Sequence, residues 1–147
     1  MPAPTLLIDT NVLLACVRGG KLGTYVAKQY NLKDGSFDSL ICVVTIGEIF
    51  ALAQKLNWGA EKIATMERLL DNLVVININS TQVLRAYAKI DCFSDSNGTR
   101  MGKNDLWIAA VAHVTGATLL TTDMDFDHLS PSHLNRIWVD PSHGKTV

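Results

Sequence analysis

Residues 97–129 are the most informative part of the chain and include Lys-Asn-Asp-Leu-Trp-Ile-Ala-Ala at 103–110 and Thr-Leu-Leu-Thr-Thr-Asp-Met-Asp-Phe-Asp at 118–127. Nearly every residue over 106–114 is apolar, which predicts a helix that is buried on most sides. A short apolar strand follows and runs directly into three aspartates. A carboxylate at the start of a buried helix, followed by an acidic turn after a strand, indicates a functional site.

Short apolar strands alternate with helices along the rest of the chain. The sequence predicts strands over 5–8, 40–44, 73–78, 118–121 and 136–139, and helices over 11–17, 22–30, 45–56, 60–70, 81 to about 90 or 93, and 104 to about 114. A turn at Asp34-Gly35-Ser36 lies in the predicted loop 31–39. This alternation predicts an α/β fold with a parallel sheet, helices on both faces and right-handed crossovers.

Four acidic residues are predicted to meet at one edge of that sheet, where ligands bind beyond the carboxyl ends of parallel strands. Asp9 and Asp123 directly follow strands, and Glu48 lies one helical turn past another. Asp105 should reach the same edge, because the helix that precedes a rising strand must start there. The helix capped by Ser80 is expected to end at the opposite edge, so the loop 94–103 must climb back, and ten extended residues can span ~33 Å.

Four carboxylates in one pocket repel each other. At ~4 Å and an effective dielectric constant of ~20, each pair costs on the order of 4 kcal/mol. Either some of the acids are protonated or a cation lies among them. Oxygen ligands select hard ions, which predicts Mg²⁺ or Mn²⁺ rather than zinc. A bound water beside a carboxylate can act as a nucleophile towards a phosphodiester.

Each acid also has a purely structural interpretation. Asp9 could cap the end of a strand, and Asp105 could be favoured by the dipole of its helix. Glu48 could complete a capping box with Thr45. The aspartates at 123, 125 and 127 could be solvated turn residues. Because independent caps need not all fall at one edge of the sheet, the joint arrangement favours a shared site.

Composition limits the class of protein. The 147 residues include 48% hydrophobic and 18% charged side chains, which is typical of one globular domain over 1–147, with a core over about 5–139 and a tail over 140–147. The net charge of −1 gives no overall attraction to nucleic acid and excludes none. Cys16, Cys42 and Cys92 lack metal spacing and are expected to be buried free thiols in a reducing cytoplasm. Asp9 interrupts the N-terminal apolar run, and no run approaches the ~20 residues of a membrane span.

The motifs together resemble PIN-domain nucleases, and specifically the VapC-like toxins of toxin–antitoxin pairs. The resemblance rests on Ile-Asp-Thr-Asn at 8–11, Glu48, Lys-Asn-Asp-Leu-Trp-Ile-Ala at 103–109 and Leu-Thr-Thr-Asp-Met-Asp-Phe at 120–126, and it covers about 5–139. It implies a Rossmann-like sheet of about five parallel strands. It also implies a Mg²⁺-dependent (or Mn²⁺-dependent) endoribonuclease that acts on RNA, forms a homodimer and is neutralised by a cognate antitoxin.

Carried over by position, the resemblance assigns the catalytic and metal-binding roles to Asp9, Glu48, Asp105 and Asp123. It assigns supporting roles to Thr10, Asn11, Asn104, Thr121 and Asp125. Arg100 and Lys103, which precede Asp105 in the loop that returns to the active edge, are expected to bind the RNA backbone.

Other classes of protein fit less well. A haloacid-dehalogenase-like phosphatase needs Asp-x-Asp after the first strand, where this chain has Asp9-Thr10-Asn11. A receiver-type signalling domain needs a late lysine, where this chain has Thr121-Thr122. A PIN nuclease of RNA maturation, or a non-catalytic PIN interaction module, remains the alternative. An antitoxin gene just upstream would favour the toxin.

Overall fold

A computed structural model describes residues 4–32 and 39–142 of the chain. These residues form five strands: β1 (Leu6–Ile8), β2 (Leu40–Cys42), β3 (Val74–Ile76), β4 (Thr118–Thr121) and β5 (Asn135–Trp138). They also form six α-helices and a 3-10 turn at Asp127–Leu129; the helices are α1 (Thr10–Arg18), α2 (Lys21–Gln29), α3 (Val43–Lys55), α4 (Ala60–Asp71), α5 (Thr81–Ser96) and α6 (Lys103–Thr115). The predicted turn at 34–36 and the end of the predicted tail, 143–147, lie outside the described residues.

The strands form one parallel sheet in the order β3-β2-β1-β4-β5. The central strand β1 pairs on one side with β2, where Leu7 lies opposite Leu40. On its other side β1 pairs with β4, where Leu7 lies opposite Leu119. The strands are short apolar runs because helices cover both faces of a parallel sheet. The predicted α/β class and the strand count are therefore confirmed.

Adjacent residues of β1 enter two different cores. Ile8 packs with residues of α1 to α4 on one face of the sheet. Leu7 packs with residues of α5 and α6 on the other face. The segment Ala109–Ala112 of α6 is at most 1% exposed, which confirms that this helix is buried. The central strand β1 is thus covered on both faces, so a polar site can form only where this strand ends.

Several elements begin or end at other residues than predicted. β2 stops at Cys42 and α3 takes over Val43 and Val44, which the sequence assigned to the strand. A short apolar run of this kind is compatible with either structure until tertiary packing decides. β3 is likewise shorter than the predicted strand over 73–78. These differences move the ends of individual strands and helices and leave the order of the elements along the chain unchanged.

The connection between α5 and α6 differs more strongly from the prediction. α5 continues to Ser96, so the connection is 97–102 rather than 94–103. Ala86 and Lys89 of α5 line a shallow cavity together with His113 and Val114 near the end of α6, so the two helices run antiparallel. The helix α5 itself therefore rises to the active edge, and the expected climbing loop is wrong. The chain leaves α5 only at Asn97-Gly98, where Gly98 has a φ of +73°.

The cysteine prediction holds for two residues of three. Cys16 and Cys42 are buried and form no disulfide, whereas Cys92 is exposed. Cys92 was expected to be buried because its neighbours are apolar, but it lies on the outer face of α5. None of the described helices combines the length and the apolar character that crossing a bilayer requires.

We expect Gly23→Ala to destabilise the protein by about 2 kcal/mol or more, because an added Cβ would overlap the backbone where α1 and α2 meet. A Cβ on Gly23 would lie 2.0 Å from the carbonyl oxygen of Ala15. Gly47 is a matched control: it is also helical, but a Cβ there would meet nothing within 4 Å. Gly47→Ala should stabilise the helix by ~0.5–1 kcal/mol. Urea unfolding curves measure both changes, and equal stabilities of the two variants would contradict this account.

Candidate metal centre

Asp9 is a carboxylate held at both of its oxygens. It follows β1, caps α1 and is only 3% exposed. Its Oδ1 accepts a hydrogen bond from the backbone N–H of Thr10 at 2.8 Å, and its Oδ2 accepts one from Thr121 Oγ1 at 2.6 Å. Burial raises the pKa of Asp9, and these two hydrogen bonds oppose that shift by favouring the ionised form.

Thr121 joins the ends of β1 and β4. Its hydroxyl donates to Asp9 and accepts a hydrogen bond from the backbone N–H of Asp123 at 2.9 Å. Asp123 Oδ1 in turn accepts from the backbone N–H of Asp125 at 2.9 Å. The acidic turn is thus fixed to the central strand through one buried hydroxyl, in keeping with the supporting position that the resemblance gives Thr121.

Glu48 is held by side chains from two other helices. Its Oε1 accepts a hydrogen bond from Thr10 Oγ1 at 2.6 Å. Its Oε2 accepts one from Asn104 Nδ2 at 3.1 Å. These bonds tie α3 to the first turns of α1 and α6. Thr10 and Asn104 therefore fix the direction of a carboxylate that lies far from either of them in the sequence.

Thr45 is a member of this network that the sequence assigned to another role. Its hydroxyl lies 3.0 Å from that of Thr10. Because Thr10 has one hydroxyl proton and Glu48 can only accept it, Thr45 is the donor between the two threonines. Thr45 was expected to be a helix cap, but α3 begins at Val43 and its cap is Cys42. The capping-box interpretation is therefore wrong, and the fully buried Thr45 supports Glu48 through Thr10.

Asp105 lies in the first turn of α6 and is half-buried. Burial raises its pKa to about 7, and the other carboxylates add to the shift, namely those of Asp9, Asp123, Asp125 and Glu48. Charges raise a pKa in this way only when they lie close together. The structure thus brings together the four acids predicted from the sequence, with Asp125 as a fifth; these five residues are called the acid cluster below.

The most compact part of the acid cluster consists of Asp105, Asp123 and Asp125, whose carboxylate oxygens lie within 4.8 Å of one another. A set of carboxylate oxygens matches the ligand preference of Mg²⁺ or Mn²⁺. The cluster therefore has the donor atoms that a hard divalent cation requires. Asp9 and Glu48 lie beside this trio and are oriented by the threonines. The resemblance assigned Asp125 only a supporting role, and its position in this trio was not predicted from the sequence.

The last two aspartates of the acidic turn after β4 interact with different partners. Repulsion from Asp123 raises the pKa of the exposed Asp125, so Asp125 shares the field of the cluster. Asp127 instead forms a salt bridge with Arg136, with 2.7 Å between Oδ1 and Nε. The interpretation as a solvated turn residue is therefore adequate for Asp127. Arg100 and Lys103 are exposed, on the connection before α6 and at its first residue.

A groove of about 560 Å³ opens beside the acid cluster and is called the α3 groove below. Asn11, Glu48, Asn104 and Asp105 line its acidic end. Gly47, Ala51 and Lys55 line it along one face of α3. Asn11 is exposed and faces this space, which is compatible with its predicted supporting role. Lys55 was not identified from the sequence, although its spacing of seven residues from Glu48 places both on one face of a helix.

These features define a Rossmann-like α/β domain with a cluster of carboxylates at the carboxyl edge of its parallel sheet. Residues 6–130 match the family model of the PIN domain, and the chain belongs to that family. Ribonuclease VapC2 of Haemophilus influenzae is 23% identical over 120 residues, which cover 80% of this chain and 86% of that relative. The resemblance to PIN-domain proteins of the VapC kind is thereby confirmed.

Two solved structures share the fold. VapBC2 from Rickettsia felis, bound to a DNA fragment from its promoter, gives a TM-score of 0.79 at 20% identity, covering 92% of this chain and 98% of the matched chain. VapBC-5 from Mycobacterium tuberculosis, a member of the VapBC family of toxin–antitoxin systems, gives a TM-score of 0.66 at 25% identity, covering 92% and 100%. The arrangement of elements seen here is therefore that of the PIN domain.

We expect Asp105→Asn to be more stable than the wild type at about pH 7.5 when no metal is present. The folded pKa of about 7 exceeds the usual 3.8, so the wild type loses stability as the pH rises through this interval. One pKa unit corresponds to ~1.4 kcal/mol. Solvent screening and the lost dipole interaction reduce the total, which leaves an advantage of roughly 1–2 kcal/mol. This advantage should shrink towards about pH 4.5.

Thermal melts at the two pH values measure the difference. Glu61→Gln is the matched control, because Glu61 is an exposed first-turn acid of α4 outside the acid cluster. It should lose a few tenths of a kcal/mol or nothing. If Asp105→Asn instead loses stability at neutral pH as a simple dipole residue would, the repulsion account is wrong.

Proposed function

We propose that this chain is a divalent-metal-dependent endoribonuclease and the toxin of a toxin–antitoxin pair, acting in the cytoplasm on a structured RNA. The acid cluster, with three carboxylates within 4.8 Å of one another, is the observation that carries this proposal. The PIN-domain match and the relative named Ribonuclease VapC2 support it. A substrate with a phosphodiester is the anion that a cation held in such a cluster attracts.

Asp9, Glu48, Asp105 and Asp123 are the proposed catalytic residues, with Asp125 as a further ligand of Mg²⁺ or Mn²⁺. A cation bound there would neutralise phosphate oxygens and lower the pKa of a water molecule. Thr121 aligns Asp9 and favours its ionised form, while Thr10 and Asn104 hold Glu48 in one orientation. A carboxylate fixed in this way can accept the proton of an attacking water.

Two of the histidines that the structure describes are held by contacts with other segments. Nδ1 of His113 is hydrogen-bonded to the carbonyl oxygen of His133 at 2.6 Å, and Nε2 of His128 pairs with Ser94 Oγ at 2.8 Å. The first contact joins α6 to the segment after the 3-10 turn, and the second joins that turn to α5. We therefore propose that water attacks phosphorus and the 3′-oxygen leaves, which yields a 5′-phosphate and a 3′-hydroxyl without use of the RNA 2′-hydroxyl.

The purified protein should cleave RNA when Mn²⁺ is supplied and should stop when the ion is chelated. Mapping the cut ends in total RNA identifies both the target and the end chemistry. Glu48→Gln and Asp105→Asn should reduce cleavage by at least ~10²-fold, because each removes a charge required in the transition state. Fragments ending in a 2′,3′-cyclic phosphate would falsify the proposed reaction. Cleavage by neither variant nor wild type would favour the non-catalytic interaction module.

We propose further that Arg100 and Lys103 contact the RNA backbone near the first turn of α6. Replacement of both by Gln should weaken binding to all RNA sequences similarly. The slope of log affinity against log salt concentration should fall by ~0.7 per lost phosphate contact on a single strand. Fluorescence anisotropy over a salt series measures this slope. A slope equal to that of the wild type would show that the two residues are merely solvated.

We propose that a cognate antitoxin inserts a basic side chain, best an arginine, into the acid cluster. A guanidinium pairs with carboxylates through two hydrogen bonds and competes with the metal. An apolar helix of the antitoxin could occupy a second cavity of about 530 Å³ between α1 and α2, lined in part by Leu14, Ala15 and Leu22. We also propose that the chain forms the homodimer that the resemblance implies. Sedimentation measures the number of copies in the assembly.

Purified toxin–antitoxin complex should bind Mn²⁺ at least ~10-fold more weakly than the free toxin, since the guanidinium and the cation need the same carboxylates. Isothermal titration of both samples gives the comparison. Substitution of the inserted arginine by Gln should restore metal affinity. If the complex is inactive while its Mn²⁺ affinity is unchanged, the antitoxin acts elsewhere.

A further inference from the structure

The α3 groove connects the acid cluster to a lysine. Glu48 and Asp105 line one end of the groove, and Lys55 lines the other. Seven residues separate Glu48 from Lys55, which is two helical turns or about 10 Å along the axis. The groove therefore extends beyond the acid cluster by more than the size of a single phosphate group.

Small side chains form the floor of the groove along α3. Gly47, Ala51 and Lys55 are spaced by four residues and lie along one face of α3. Gly47 and Ala51 are both exposed to the groove. A larger group in either position would fill the space next to Glu48. The groove is thus open where an RNA strand that leaves the acid cluster would pass.

Gly47 has no role in the fold that explains its presence. It lies inside a helix, where glycine costs ~0.5–1 kcal/mol relative to alanine. A Cβ at Gly47 would meet nothing within 4 Å, in contrast to Gly23, where it would overlap the backbone of Ala15. Packing therefore requires the glycine at position 23 and leaves position 47 free. The space at Gly47 opens onto the groove beside a carboxylate of the acid cluster.

Lys55 supplies a positive charge in the α3 groove, whereas the acid cluster consists only of carboxylates. It is exposed in the last turn of α3 and forms no ion pair with any residue within 4–32 and 39–142. An RNA strand that passes the acid cluster is repelled by the carboxylates, so a cation at the end of the groove offsets that repulsion on the adjacent phosphate. Arg100 lies on the connection between α5 and α6, and Lys103 is the first residue of α6, so both lie on another side of the acid cluster than Lys55.

We propose that the α3 groove binds the unpaired nucleotide next to the scissile phosphate of single-stranded RNA. Lys55 pairs with the phosphate of that nucleotide, and its sugar or base lies over Gly47 and Ala51. This assignment rests on the proposed nuclease function and adds a substrate subsite to it. It also requires the RNA to be single-stranded at the cut, because a paired base cannot enter a groove on the surface of one helix.

The test uses Lys55→Gln, with Lys28→Gln as the matched control. Lys28 is also an exposed lysine in the last turn of a helix, α2, but does not line the α3 groove. The probe is a fluorescein-labelled single-stranded RNA of 12 random nucleotides, bound in Ca²⁺ so that it stays intact. Lys55→Gln should weaken binding roughly 5-fold and lower the salt slope by ~0.7, whereas Lys28→Gln should change neither.

Two further variants examine the floor of the groove. Gly47→Leu should weaken RNA binding at least ~10-fold, since the side chain occupies the space of the nucleotide, and Gly47→Ala should have a smaller effect in the same direction. Both variants should keep the Mn²⁺ affinity of the wild type and melt at an equal or higher temperature. Retained folding and metal binding separate a blocked groove from a damaged protein.

The possible results separate a failure of the nucleotide site in the α3 groove from a failure of the proposed nuclease function. If the wild type cleaves RNA with Mn²⁺ but Lys55→Gln and Gly47→Leu bind the probe as Lys28→Gln does, the groove is no nucleotide site. The same conclusion holds if these variants lose only antitoxin binding, which would make the groove a protein-binding surface. If the wild type neither cleaves nor binds RNA, the nuclease function itself is wrong.

Discussion

The structure depends on holding several carboxylates together at the edge of a sheet whose interior is apolar. Asp9 is the most constrained of them, because it follows the central strand and is almost fully buried. An unpaired buried carboxylate is strongly unfavourable. The backbone N–H of Thr10 and the hydroxyl of Thr121 supply two hydrogen bonds to its oxygens. The junction of β1, β4 and α1 is built around this side chain.

The groups that support the acid cluster are neutral. Threonine hydroxyls and the amide of Asn104 orient Asp9 and Glu48 without neutralising them. The negative charge therefore remains available, and its mutual repulsion together with burial raises the pKa of Asp105 to about 7. A cation bound at such a cluster would compete with a proton on Asp105, so its affinity would depend on pH. A lysine or arginine inside the cluster would remove both properties.

Two helical glycines show how the same residue type serves different physical ends. Gly23 allows α1 and α2 to approach until a Cβ would overlap the backbone of Ala15, so its role is in packing. Gly47 faces open space next to Glu48, where the fold has no use for the missing side chain. The cost of glycine in a helix is similar at both positions. The benefit lies in core packing for the first and in space for a ligand for the second.

Sequence patterns alone predict the class of fold and the sheet edge at which the acids lie. Alternating strands and helices indicate a parallel sheet, and its carboxyl ends share one edge, so Asp9 and Asp123 are expected at the same edge. The apolar run of α6 also predicted its burial. These conclusions follow from periodicity and chain direction, which are local properties of the sequence.

The arrangement of the side chains at that edge depends on tertiary packing. The role of Thr45 depends on a hydroxyl of α1, which no pattern within α3 reveals. The position of Asp125 in the compact trio depends on how Thr121 and Asp123 fold the acidic turn. The antiparallel course of α5 and the exposure of Cys92 follow from packing against α6. Such features arise from contacts between distant segments, whose geometry is fixed only when the whole core is packed.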